Sequence, residues 1–266
     1  MTVFSVVRDN DVAVVSMLGS AMGRDFFVEL PQVFRELDAD TRVRAIVLTG
    51  SGSNFSFGLD LKDVGPMFGA LTAGDSLASA RMALLAQVRE WQASITAVAD
   101  CRTPIISAID GWCIGGGIDL IAATDIRLGT TAAKFSVRET KVAIVADLGS
   151  LQRLVGIIGD GHLRELALTG GDIDSARAER IGLVNTVYSD AAELRDAALA
   201  MAKEIAANSP LVVRGVKDVL DAERAPRVEA GLRYVAAWNA AFLPSHDLDE
   251  AFASFAQRRP PTFTGE

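Results

Sequence analysis

Cysteine and histidine are both scarce in this chain of 266 residues, which holds two of each. Cys101 and Cys113 form no CxxC pair, so we expect neither a disulfide framework nor a structural metal site, and a reducing compartment is the default. His162 and His246 lie far apart in the sequence. Acid–base chemistry in this chain would therefore more naturally use carboxylates.

Positive charge is also in short supply, because 34 acidic residues face 26 basic ones and the formal net charge is −8. This balance argues against nucleic acid as a partner. Half of the residues are apolar and 23% are charged, which excludes a disordered chain and is typical of a globular protein.

Long apolar runs are missing as well, so the sequence predicts no membrane span. The first residues lack the basic and apolar regions of a signal peptide, and Thr264-Gly265-Glu266 does not match a peroxisomal address. A cytoplasmic location is the resulting expectation.

The order of predicted elements divides the chain into two parts. Alternating or continuous apolar runs predict strands at residues 3–7, 12–17, 45–48, 105–109, 126–128 and 134–136. Helices are predicted between them at residues 22–37, 79–100 and 118–123. From about Leu148 onward the pattern predicts that nearly the whole chain is helical. The sequence thus indicates an α/β core followed by a helical C-terminal region.

Two glycine-containing turns each lead into a predicted helix. The first is Ser56-Phe57-Gly58-Leu59-Asp60-Leu61, and the second runs from Cys113 through Gly115-Gly116-Gly117 to Asp119. Unpaired backbone N–H groups at a helix start could hold a developing oxyanion, and glycine would allow the ligand to approach closely. For either turn alone, a simple tight turn is the favoured interpretation. The second turn matches neither the dinucleotide-binding motif nor the P-loop motif.

Three acidic residues stand in apolar or small-residue surroundings: Asp119, Glu139 and Asp147. Desolvation would raise their pKa values toward those useful in acid–base catalysis. Each also has a simpler interpretation. Asp119 could interact with its helix dipole, Glu139 could pair with Arg138 or Lys141 at the surface, and Asp147 could cap the next helix.

Several motifs in this order resemble the crotonase (enoyl-CoA hydratase/isomerase) superfamily. They are residues 44–50 (RAIVLTG), 58–62 (GLDLK), 111–120 (GWCIGGGIDL), 152–154 (QRL), 182–185 (GLVN) and 259–263 (RPPTF). The resemblance implies an α/β fold, a crotonase-type spiral of ββα units with a helical C-terminal region. It further implies a spiral core over residues 1–205 and a trimerisation region over residues 206–266, in a homotrimer or a dimer of trimers.

Within this superfamily the chain resembles the Δ3,5-Δ2,4-dienoyl-CoA isomerases. These enzymes have an Asp on the Gly-Gly-Gly helix, a Glu twenty residues later and an Asp eight residues after that. Asp119, Glu139 and Asp147 have the same spacing in this chain. Typical hydratases have Gly at the position of Asp147, which makes it the discriminating residue. The N-terminal motif, residues 18–22 (LGSAM), lacks the usual basic residues, and Arg24 is a candidate to replace them near the CoA phosphates.

The resemblance also implies roles for these residues. The thioester oxygen of an acyl-CoA would lie between the N–H groups of Leu59 and Gly116. Glu139 would transfer the proton at C2 of the acyl chain and Asp147 the proton at C6. Asp119 would tune or orient these two carboxyl groups. No cofactor or metal is implied, since coenzyme A is part of the substrate. The positions expected to bind substrate are Ala21, Phe57, Gly58, Asp60, Leu61 and Gly115.

Two other functions remain open from the sequence. One is an enoyl-CoA hydratase that uses Asp119 and Glu139 to position a water. The other is a non-catalytic acyl-CoA-binding protein, against which the three carboxylates argue, because binding alone needs no desolvated acids.

Overall fold

A computed structural model of the protein describes residues 2–65 and 78–266. Its strands are β1 Phe4–Asp9, β2 Val12–Met17, β3 Ala21–Met22, β4 Ala45–Gly50, β5 Gly58–Leu59, β6 Ile105–Ile109, β7 Trp112–Ile114, β8 Ile126–Thr130, β9 Lys134–Ser136, β10 Ile173–Asp174 and β11 Thr186–Tyr188. Its helices are α1 Arg24–Ala39, α2 Ala78–Ala99, α3 Gly116–Ala122, α4 Ser150–Arg153, α5 Val155–Thr169, α6 Ser175–Arg180, α7 Ala191–Ala207, α8 Pro210–Ala222, α9 Arg224–Phe242 and α10 His246–Gln257.

A six-stranded sheet in the order β1-β2-β4-β6-β8-β11 forms the centre of the fold. The hairpin of β1 and β2 is antiparallel, and its turn contains Asn10 at a φ of 54°, a conformation that asparagine tolerates better than most residues. The other neighbours in this sheet pair in parallel. The strands expected from the apolar runs are therefore confirmed.

Each of three parallel strands leads into a short second strand and then a helical turn. β4 is followed by β5 and a helical turn at residues 61–65, β6 by β7 and α3, and β8 by β9 and a 3₁₀ turn at Glu139–Val142. These repeats confirm the expected spiral of ββα units. The short strands pair with one another, β3 with β5 and β7 with β9, and a bridge between Ser56 and Cys113 links the segments before the two glycine turns.

The central parallel strands β4, β6 and β8 are buried on both faces. One face joins the main core with α1, α2 and α3. The other face carries Val47, Ile106 and Leu128 against the small side chains of Ala198 and Ala202 on α7. Coverage on both sides explains why these strands are continuously apolar rather than alternating.

The second half of the chain is less purely helical than expected. The structure adds β10, which pairs with β9, and β11, which pairs with β8 at the edge of the main sheet. These strands are two and three residues long, too short for an apolar period to show. The C-terminal helices are confirmed, and α8 starts at Pro210, as its lack of an N–H favours.

The C-terminal helices pack directly on the core. α9 lies against α2 and α4, and α10 lies against the 3₁₀ turn that begins at Glu139. Over residues 2–65 and 78–266, no helix combines the length and apolarity that crossing a bilayer requires.

Candidate active site

The two glycine turns meet in space. Ile114 donates its backbone N–H to the carbonyl of Ser56 at 2.9 Å, which joins the segments before the turns. Gly58 has a φ of +78°, and a Cβ there would lie 2.9 Å from the amide nitrogen of Gly116 and 3.0 Å from the carbonyl oxygen of Ile114. Only glycine fits so close an approach in this backbone conformation.

The amide nitrogens of Leu59 and Gly116 both lie close to this contact. Gly116 is the first residue of α3, so its N–H has no acceptor within the helix. The position of a Cβ on Gly116 is 3.8 Å from the amide nitrogen of Leu59. The structure thus brings together the two expected oxyanion donors, in an arrangement able to stabilise charge on a carbonyl oxygen.

The other residues expected to bind substrate surround the first turn or begin the second. Ala21 pairs with Gly58 between β3 and β5, and the side chain of Phe57 is exposed. The Asp60 carboxylate accepts a hydrogen bond from the backbone N–H of Lys62 at 3.0 Å, so it caps the helical turn that begins at Leu61. Gly115 immediately precedes α3 with a φ of 54°.

Arg24, the candidate for phosphate contacts, already has a partner. Asp63 accepts the Arg24 backbone N–H at 2.7 Å, and its carboxylate lies 3.6 Å from Nε of the same arginine. The guanidinium also donates to the Asp63 carbonyl at 3.0 Å. A phosphate would have to share this arginine with Asp63.

Asp119 connects two helices. It lies in the first turn of α3, is 1% exposed, and accepts the backbone N–H of Ser150 at 2.5 Å. The carboxylate of Asp119 thus accepts from a backbone N–H that has no partner within α4. It also lies near the start of its own helix, α3. Burial raises the pKa of Asp119, and the hydrogen bond from Ser150 partly opposes the rise.

Glu139 has no ion-pair partner among the described residues. Arg138 pairs with Asp172 instead, and Oε2 of Glu139 is buried without a hydrogen-bond partner in residues 2–65 and 78–266. Its Oε1 lies 3.6 Å from the position of a Cβ on Gly115. Burial, and then the charge of Asp119, raise the pKa of Glu139. The surface-pair interpretation is therefore wrong.

Asp147 is not a helix cap. The next helix, α4, begins at Ser150 with Gly149 before it. Asp147 instead accepts a hydrogen bond on Oδ2 from Nδ2 of Asn239, at 2.6 Å. Burial raises the pKa of Asp147 to about 7, although the Asn239 donor favours the charged form.

Asn239 and Gln92 both donate hydrogen bonds to Asp147, and the sequence did not predict these contacts. Both are buried amides on the inward faces of α9 and α2. A signal was present, since each interrupts a helical stripe of apolar residues, where a polar side chain needs a partner. The identity of that partner depends on how the helices dock, which periodicity does not reveal.

Taken together, the site combines two neighbouring N–H donors with three mutually interacting carboxyl groups whose pKa values are raised. Such a site can move protons on carbons near a carbonyl group while the N–H donors stabilise the resulting enolate. In the described ranges, 2–65 and 78–266, no cluster of three or more His, Cys, Asp or Glu residues is arranged to hold a metal ion.

Comparisons with known proteins agree with this geometry. Residues 9–266 match the enoyl-CoA hydratase/isomerase family. The chain is 44% identical to the mitochondrial Δ(3,5)-Δ(2,4)-dienoyl-CoA isomerase of Dictyostelium discoideum, over 92% of this chain and 83% of the relative. It is 42% identical to the peroxisomal enzyme of that name from Arabidopsis thaliana, over 92% of this chain and 88% of the relative.

The fold is also that of solved structures. The crystal structure of an enoyl-CoA hydratase/isomerase from Mycobacterium paratuberculosis superposes with a TM-score of 0.82 at 27% identity, covering 96% of this chain and 98% of that one. The fold, the meeting of the two glycine turns and the sequence match lead to one conclusion: this chain belongs to the enoyl-CoA hydratase/isomerase family.

Proposed function

We propose that this protein is an isomerase that converts a 3,5-dienoyl-CoA into the 2,4-dienoyl-CoA, a reaction suited to fatty acid β-oxidation. The observation that carries the proposal is Asp147, a third carboxyl group at the site, with a raised pKa and a buried amide on Oδ2. Relatives with 42–44% identity are named for this reaction.

The reaction starts at the thioester. Its oxygen would accept hydrogen bonds from the N–H groups of Leu59 and Gly116, and the close contact of the two glycine turns supports this role. Loss of a proton from C2 gives a dienolate with negative charge on that oxygen. Fixed donors aimed at this charge stabilise the transition state more than the ground state.

Proton transfer needs groups at the two ends of a five-carbon span. Glu139 is assigned to C2, because its Oε1 lies beside Gly115, the neighbour of the oxyanion donor Gly116. Asp147 is assigned to C6 because it is the remaining carboxyl group with a raised pKa, since Asp119 is held by the backbone N–H of Ser150. Glu139 removes the C2 proton, and Asp147 delivers a proton to C6.

Asp119 would act through its charge and its hydrogen bond. Its negative charge contributes to the raised pKa of both Glu139 and Asp147. Because like charges repel, the three acids favour a state in which one carboxyl is ionised while a neighbour keeps its proton. This is the state that a paired acid and base require. The proposal invokes no cofactor, since coenzyme A belongs to the substrate.

The decisive experiment compares Asp147→Asn with Glu139→Gln on two substrates. Conversion of 3,5-dienoyl-CoA, followed by the absorbance of the conjugated product, should fall at least about 100-fold in both variants. Hydration of 2-enoyl-CoA, where present, should depend on Glu139 and much less on Asp147. A wild type that hydrates 2-enoyl-CoA well and leaves 3,5-dienoyl-CoA unchanged would contradict the proposal in favour of a hydratase.

We further propose a homotrimer or a dimer of trimers, with residues 206–266 as the trimerisation region. Large apolar side chains exposed along α8 support this assembly. We also propose a cytoplasmic location, although the two relatives are named mitochondrial and peroxisomal. Sedimentation at micromolar concentration tests the assembly, and imaging of the tagged chain in its own cells tests the location.

A further inference from the structure

Two buried amide side chains reach the Asp147 segment from different helices. Asn239 on α9 is 1% exposed, and Gln92 on α2 is 5% exposed. Asn239 donates to Oδ2 of Asp147 at 2.6 Å and to the carbonyl of Val145 at 2.9 Å. Gln92 donates to the carbonyl of Asp147 at 2.7 Å and to that of Leu232 at 3.0 Å.

The two amides differ in what they contact. A side-chain amide carries two N–H donors, and each of these amides uses both. Gln92 binds main-chain carbonyls only, so it fixes the path of the backbone. Asn239 binds one carbonyl and one carboxylate oxygen, so it fixes both the backbone and the orientation of the Asp147 carboxyl group.

A purely structural tie would not need the contact with the carboxylate. Within the described part of the chain, no other side chain donates a hydrogen bond to the Asp147 carboxyl group. With Oδ2 occupied by Asn239, Oδ1 accepts from no side chain in the described residues, and a backbone N–H at Asp147 is the other donor to the carboxyl group. A donor on Oδ2 also stabilises the ionised form that remains after the proton has left.

We propose that Asn239 is a positioning residue for the isomerisation, holding Oδ2 of Asp147 so that Oδ1 faces the far end of the diene. This inference rests on the proposed function, because it assigns a partner to the carboxyl group that serves C6. Asn239 acts through Asp147 and touches no substrate atom. Gln92 supports the same segment through its backbone alone.

The groups around Asp147 determine in which direction its pKa should move when Asn239 is replaced. Asp119 on α3 raises the pKa of Asp147, Glu139 interacts with it from the 3₁₀ turn, and the Asn239 donor opposes the effect of burial. Removal of that donor should therefore raise the pKa of Asp147 further. As the proton donor to C6, Asp147 controls the alkaline limb of the activity profile, so this limb should move to higher pH.

The test compares Asn239→Leu, which preserves the approximate shape, with the matched control Gln92→Met. Asn239→Leu should lower kcat on 3,5-dienoyl-CoA by about 10- to 100-fold, with KM changed less than about threefold. Its alkaline limb should move up by about one pH unit. Gln92→Met should lower the melting temperature and leave both limbs in place.

A double variant separates positioning from general damage. In an Asp147→Asn background, Asn239→Leu should cause little further loss of activity, because its effect depends on the carboxyl group. Should Asn239→Leu fail to fold, Asn239→Ser takes its place, since the shorter side chain also stops short of Oδ2. A full additive loss, or a pH profile that does not move, would overturn the proposal.

A readout without substrate distinguishes this proposal from the proposed function. Infrared titration of the free protein follows the carboxyl band of Asp147, which is assigned by its absence in Asp147→Asn. This titration should show a higher pKa for Asp147 in Asn239→Leu than in wild type. If that shift occurs while wild type fails to isomerise 3,5-dienoyl-CoA, the proposed reaction is wrong and the coupling of Asn239 to Asp147 stands. If isomerisation is normal and neither the band nor the profile shifts, the positioning role fails alone.

Discussion

Ser150 donates its backbone N–H to Oδ1 of Asp119 at 2.5 Å, so the start of α4 is anchored to the first turn of α3. The loop that carries Asp147 ends at this anchor. One carboxylate thus influences the site in two ways. Its hydrogen bond fixes the loop, and its charge acts on Glu139 and Asp147.

The variant Asp119→Asn separates these two contributions. The amide oxygen can still accept the Ser150 N–H, but the negative charge is gone. Since that charge raises the pKa of Glu139 and of Asp147, its loss should lower both values. We expect both limbs of the kcat profile to move to lower pH. The control Asp174→Asn, in an exposed cap of α6, should leave the profile unchanged.

A second prediction concerns the oxyanion donor at Gly116. Gly116→Pro removes its N–H at a helical position where proline is otherwise accepted, and should lower kcat about 10²- to 10³-fold. Gly116→Ala is the matched control, because it retains the N–H. Its Cβ would meet only the flexible Sδ of Met22 within 3.0 Å, so its kcat should stay within about tenfold of wild type. Equal losses in both variants would assign the effect to packing.

The main sheet could be predicted from the sequence because burial on both faces leaves a continuous apolar run. The strands predicted at residues 105–109 and 134–136 match β6 and β9. By contrast, β11 is three residues long and partly buried, and its pairing with β8 depends on a long-range contact. Elements of this length carry no readable period.

The candidate site also has a part that the sequence predicts and a part that it does not. The spacing of three carboxyl groups and two glycine turns along the sequence, through the family resemblance, predicts which residues meet. The partner of Asp147 stands 92 residues away on another helix. Its contribution depends on the docking of α9 onto the core, and no local pattern specifies that geometry.

A third prediction tests the proposed assembly. Leu211 is 83% exposed at the start of α8, and Leu220 near its end is also exposed. Burial of such side chains in an interface yields about 25 cal/mol per Å², and a buried lysine would oppose it. The double variant Leu211→Lys/Leu220→Lys should therefore sediment as a smaller species than wild type. Ala200→Lys, on the exposed side of α7, should sediment like wild type.

The last prediction concerns the dependence of stability on pH. Burial raises the pKa of Asp147 to about 7 from its ordinary value of 3.8. The folded state therefore binds a proton that the unfolded state has already released between these values. The stabilisation from this group is complete below about pH 4 and is lost as the pH rises through about 7. Burial shifts the pKa of Asp119 and Glu139 in the same direction.

Wild type should therefore melt at a lower temperature at about pH 8 than at about pH 5, as measured by calorimetry with reversible unfolding. In Asp147→Asn the neutral amide has no proton to lose, so its decline in stability should be smaller, by about 1–3 kcal/mol after allowance for partial solvent access. Asp174→Asn serves again as the control, since it makes the same chemical change at an exposed residue. An Asp147→Asn slope as steep as that of wild type would mean that Asp147 is already ionised in the folded protein below neutral pH, and proton donation to C6 would then need another group.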